Sequence, residues 1–163
     1  MSLLGICQWI NDTVPATALR ESELAFPLVE SIHVLAITLL AGTVSILDLR
    51  LLGVVLKKEP VSQVAENILP LTWTGFAAMF ITGAMLFASE AVKMYENPAF
   101  RVKLLLMVLA GLNPLIFHST VYKSVAAWNE TPRPPARARV AATCSLTLWS
   151  AIIIAGRAIA YYH

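Results

Sequence analysis

The sequence predicts an all-α integral membrane protein: an up-down four-helix bundle with a short N-terminal interfacial helix. Three observations carry this expectation. The chain of 163 residues is 58% hydrophobic and only 13% charged, with a mean hydropathy of +0.70, too apolar for an ordinary soluble domain. It holds four apolar runs, each long enough to cross ~30 Å of hydrocarbon at ~1.5 Å per residue. The connections between them are short, which favours antiparallel neighbours.

The N-terminal stretch 2–10 lacks the basic start and long apolar run of a cleavable signal, and reads instead as a helix lying in the interface with Trp9 at headgroup depth. Asn11-Asp12-Thr13 and Pro15 end it. The first span, about 27–56, has no charge from Val34 to Leu47. Pro27 is tolerated in its first turn, and Lys57-Lys58-Glu59-Pro60 closes it. The second span covers about 68–92, where Gly75, Ala78, Thr82 and Ala84 are small enough for close helix contact. Asn97-Pro98 is a start signal for the third span, about 98–128, and Pro114 predicts a kink in it. A proline-rich loop at 129–136 leads to the fourth span, about 137–162.

The net charge of +2 forms no basic tract for nucleic acid. Cys7 and Cys144 make no CxxC or Cys/His cluster and are expected to be unpaired. Arg50, Lys57, Lys58, Lys123, Arg133, Arg137 and Arg139 belong to the first and third connections and their flanks. The other side carries Arg20, Lys93, Arg101, Lys103 and Arg157. The excess predicts both termini outside, in the periplasm if the host is a Gram-negative bacterium.

Alternating the helix directions sorts the polar residues of the spans into two layers. Glu30, His33, Glu90 and Arg157 fall at the outer level; Asp48, Arg50, His118 and Lys123 fall at the inner one. One explanation is charge pairing alone, with Glu30 or Glu90 neutralising Arg157 and Asp48 meeting Lys123. The histidines suggest axial ligands of haem b, which needs a nitrogen ligand, an apolar slot and cations near its propionates. His33 is the first candidate ligand and His118 the second, with Arg157, Arg20, Tyr161 and Tyr162 as propionate partners. The first and third helices should run parallel, which offsets the two histidines by roughly 18–20 Å, so they serve different sites unless the third helix is shifted and bent at Pro114. Met85 or His163 would match the depth of His33, and Met79 that of His118. The Glu30/His33 spacing of i, i+3 also occurs in di-metal bundles, but only one copy is present. No HExxH, GxSxG, phosphate-cradling loop or Ser/His/Asp arrangement is found.

LRES at 19–22, FPLVESIHVL at 26–35, DLRLLG at 48–53, TG followed by LF at 82–87, and GLN with FH at 111–118 resemble an uncharacterised bacterial family of small four-helix inner-membrane proteins, a domain of unknown function. The general layout is also similar to four-helix membrane proteins that hold b haem, the cytochrome b561 and CopD types. That likeness implies a b-type cytochrome-like protein passing electrons between a membrane or periplasmic donor and quinone, as a subunit beside a redox partner or as a homo-oligomer. A cofactor-free membrane anchor and a carrier of a small ligand or metal ion are the competing expectations.

Overall fold

A computed structural model describes residues 2–161. Among these residues there is no strand. Ser2 opens the first helix, α1 (Leu3–Asn11), by accepting the Gly5 N–H at 3.1 Å. α2 (Val14–Glu21) follows with Pro15 in its first turn. The long helices are α3 (Ala25–Leu51), α4 (Val61–Ser89), α6 (Pro98–Thr120) and α7 (Ala136–Ala158), with the short α5 (Ala91–Glu96) between α4 and α6. Asn97 caps α6 through the Phe100 N–H at 3.2 Å. The four long helices are apolar enough to cross a membrane, the last counted to Tyr161. Leu35, Phe80, Leu105, Leu115 and Ile154 are exposed on their outer faces, as a multi-pass membrane protein requires.

The helix ends depart from the apolar runs for local reasons. α3 stops at Leu51, where Gly53 turns the chain at a φ of +71°; a Cβ there would lie 2.7 Å from the Pro132 carbonyl oxygen. α4 starts at Val61, ahead of its apolar run, because Asn129 satisfies its first donors. The Val61 N–H donates to the Asn129 carbonyl at 3.0 Å and the Ser62 N–H to the Asn129 side chain at 2.9 Å. α6 ends at Thr120 and continues as a 3₁₀ turn over Tyr122–Ala127. Pro70 and Pro114 both lie inside helices that run through them without a break. Beside Pro114, the Asn113 amide donates to the Ala141 carbonyl of α7 at 3.1 Å.

α3 sits between α4 and α7, and α7 packs in turn on α6. The α3–α4 contact is the tightest, with Gly75 lying directly on the backbone of Leu40. α4 meets α6 through side chains, Phe87 stacking on Phe100 at 5.6 Å. The antiparallel order shows in the bonds at the two ends. At one end Arg20 of α2 donates to the Ser89 carbonyl of α4 at 2.8 Å, and Asn97 to the Ile159 carbonyl at 3.1 Å. At the other, the guanidinium of Arg50, fully buried, donates to the carbonyls of Glu59 at 2.9 Å, Thr131 at 3.3 Å and Asn129 at 3.5 Å. One arginine thus ties the end of α3 to both loops at that end.

Candidate functional site

Two turns into α3, His33 points between helices, and its Nδ1 lies 2.9 Å from Thr82 Oγ1 of α4. The Thr82 hydroxyl also lies 2.6 Å from the Ala78 carbonyl, one turn back in its own helix. A hydroxyl has one proton, and the shorter bond to the carbonyl takes it. In the tautomer that satisfies both bonds, His33 Nδ1–H donates to Thr82; the ring also bonds the Met79 backbone. The ring fits because the next residue is Gly83: a Cβ there would come within 3.0 Å of His33 Cε1.

The other two long helices contribute at the same end. The stem of Lys103 of α6 lies along α7 at Gly156, with Nζ 3.7 Å from where a Cβ would stand. Glycines on α4 and α7 thus leave room for the imidazole of α3 and the amine of α6, respectively. Below them, toward the middle of the bundle, Ala36, Leu40 and Met79 form an apolar floor closed by Met107 and Trp149. Among the described residues the ion pair is Glu90–Lys93 at 3.4 Å, partly exposed and within one turn. Lys103 has no carboxylate partner among them.

The remaining expected site residues lie elsewhere. His118 is exposed at the opposite end of the bundle, stacked on Tyr122 with ring centroids 4.5 Å apart. It does not meet His33, because α3 and α6 run parallel and the two residues sit at different depths. Met79, expected near His118, belongs instead to the floor beneath His33. Met85 is 41% exposed on the outside of α4. Arg20 is committed to the carbonyls of Ser89 and Asn11, while Arg157 and Tyr161 are exposed. Tyr162 and His163 lie outside the described residues. Among the described residues no three of His, Cys, Asp and Glu gather as metal ligands, so Glu30–His33 does not grow into a di-metal centre.

The expected charge pairs are replaced as well. Glu90 pairs with Lys93 rather than Arg157, and Asp48, buried, faces the Ser145 hydroxyl of α7 rather than Lys123. Asp48 Oδ2 and Arg50 Nη1 are buried without hydrogen-bond partners among the described residues. Sequence reasoning misses Lys103, counting it only among the basic residues of its side. Its position five residues inside the third span is the available signal.

No curated protein and no solved structure matches the chain, so the likeness to cytochrome b561 and CopD-type proteins gains no support. A family model does match, over residues 24–162. That span includes all four long helices and every residue of the His33 cluster, and the chain accordingly belongs to DUF6644, a family of unknown function.

Proposed function

We propose that this protein is a membrane electron-transfer component that carries haem b on His33. The observation that supports this reading most is the orientation of the imidazole. With Nδ1–H donating to the Thr82 hydroxyl 2.9 Å away, an outer hydrogen bond of this kind would fix the tautomer of an axial histidine and leave its other nitrogen for iron. Bound haem would supply one-electron chemistry, while the chain's own residues hold and orient it and keep water away. The chain offers one axial nitrogen at this level, so a six-coordinate iron needs a ligand from a second copy or from a partner subunit. Electrons would pass between a donor at the membrane or in the periplasm and quinone in the bilayer.

The test is the absorption spectrum of protein purified from haem-sufficient cells, oxidised and dithionite-reduced. A Soret band is expected in the wild type and in His118→Ala, and is expected to vanish in His33→Ala with the protein still folded. A protein without the band, or a band that survives His33→Ala, refutes the assignment.

The same reading places the chain in a bacterial inner membrane with both termini in the periplasm, supported by the excess of Lys and Arg at the Arg50 end of the bundle. Alkaline phosphatase fused to the C-terminus should be active. An inactive enzyme there, with a fluorescent green fluorescent protein fusion at the same point, would reverse the orientation.

A further inference from the structure

We infer that Asp48 is a proton-binding site inside the membrane, its carboxylate taking a proton from water at the Arg50 end of the bundle and giving it back. Asp48 lies roughly 22 Å beyond His33 along α3, at ~1.5 Å per residue, so the inference is independent of the haem reading.

Asp48 stands in the last turn of α3 and is 5% exposed, and its Oδ2 is buried without a hydrogen-bond partner among the described residues. A carboxylate so placed is costly in a dry setting, and a counter-charge, a metal ion or a proton relieves it. The counter-charge is missing. Among the described residues the ion pair is Glu90–Lys93 at the other end, and Arg50, two residues on, directs its guanidinium to the carbonyls of Glu59, Asn129 and Thr131. On the helices packed against α3 here, Glu66 of α4 and Arg137 and Arg139 of α7 are exposed, as is Lys123. The cluster at this end is apolar: Leu51, Val61, Phe117, Ala138 and Ala142, with Leu47, next to Asp48, packed on it.

A metal ion is poorly served as well. A hard cation takes about six or more oxygen ligands, whereas Asp48 faces one hydroxyl, that of Ser145 on α7, and no three of His, Cys, Asp and Glu gather among the described residues. A proton needs a single oxygen, and Oδ2 is free to take it. Water has an approach, since a cleft of about 450 Å³ lined by Leu52, Arg139, Val140, Thr143 and Cys144 opens at the same end. Leu52 is one turn after Asp48, and Cys144 adjoins Ser145. In the binding step hydronium gives one proton to Oδ2 and leaves as water, and the carboxylate becomes a neutral acid.

The chain contains two aspartates, Asp12 and Asp48, and Asp12 is exposed. Full-length Asp12→Asn protein, made by cell-free synthesis with aspartate isotope-labelled at its side-chain carboxyl and placed in phosphatidylcholine vesicles, therefore gives a labelled infrared stretch from Asp48 alone. Between mildly alkaline and mildly acidic pH the stretch should pass from the carboxylate to the acid position. The ratio of the two forms should change about tenfold per pH unit, as one proton requires. A stretch that stays at the carboxylate position overturns the inference and leaves Asp48 ionised beside Arg50. One that stays at the acid position does so too, because a fixed neutral acid exchanges no proton. A transition abolished by sodium, potassium or calcium chloride at constant ionic strength assigns the carboxylate to a metal ion and also overturns it. Should Asp12→Asn fail to fold, the difference between labelled wild type and labelled Asp48→Asn gives the same reading. None of these outcomes depends on a Soret band, so this inference and the His33 assignment fail separately.

Discussion

Replacing Arg50 by Ala should lower the stability of the detergent-solubilised protein by about 3 kcal/mol, more than most single substitutions do. The side chain is 0% exposed and its guanidinium donates to the carbonyls of Glu59, Asn129 and Thr131. Truncation removes this donor from the Glu59 and Thr131 carbonyls, leaves the Asn129 carbonyl with the Val61 N–H alone, and opens a void where the side chain stood. The damage should spread, because Asn129 also caps the start of α4. Arg50→Lys should recover part of the loss, since an ammonium reaches fewer of these carbonyls than a planar fork does. Thermal unfolding followed by circular dichroism measures the effect, with the exposed Arg133→Ala as the reference. Equal midpoints for the two alanine variants would show that Arg50 does not hold the loops.

Gly75→Leu should pry α3 from α4. A Cβ at Gly75 would come within 2.9 Å of the Leu40 nitrogen and 3.2 Å of its Cα. These are backbone atoms, which cannot turn aside as a side chain can. Overpacking in cores costs typically about 1–3 kcal/mol, and a contact against backbone belongs at the upper end. The consequence reaches the site: Thr82 lies two turns further along α4, and its bond to His33 crosses the same helix pair. Gly75→Leu should therefore lose thermal stability and disturb the His33–Thr82 contact. At Gly42 and Gly111 an added methyl group would meet nothing within 4 Å, so alanine at either is expected to be near neutral or slightly stabilising in a helix. Comparable losses at all three glycines would mean that close approach at Gly75 does not set the helix pair.

The expectations that the structure retains and those it replaces divide along one physical line. Four spans can be read because burial in lipid demands length and apolar composition, and both are properties of a linear string. The same reasoning fails at helix ends, where Gly53 and Asn129 act through contacts with distant parts of the chain. It fails again for the polar residues inside the spans. Depth matches Asp48 with Lys123, yet Asp48 faces Ser145; it matches Met79 with His118, yet Met79 underlies His33; it offers Lys103 no partner. Depth follows from counting residues along a helix, whereas a partner also depends on the rotation of each helix about its own axis.

By itself, the sequence determined an all-helical chain with four membrane-spanning segments, short connections, and a histidine near the start of the first span. Tertiary structure alone decided that Thr82 and Gly83 meet that histidine, that Lys103 lies along Gly156, that His118 stands apart, and that Arg50 turns inward to the loops. Helices that are apolar nearly all round do not mark their inner face by hydropathy. Small residues and backbone contact between helices set it instead, as Gly75 against Leu40 and Gly83 against His33 do here.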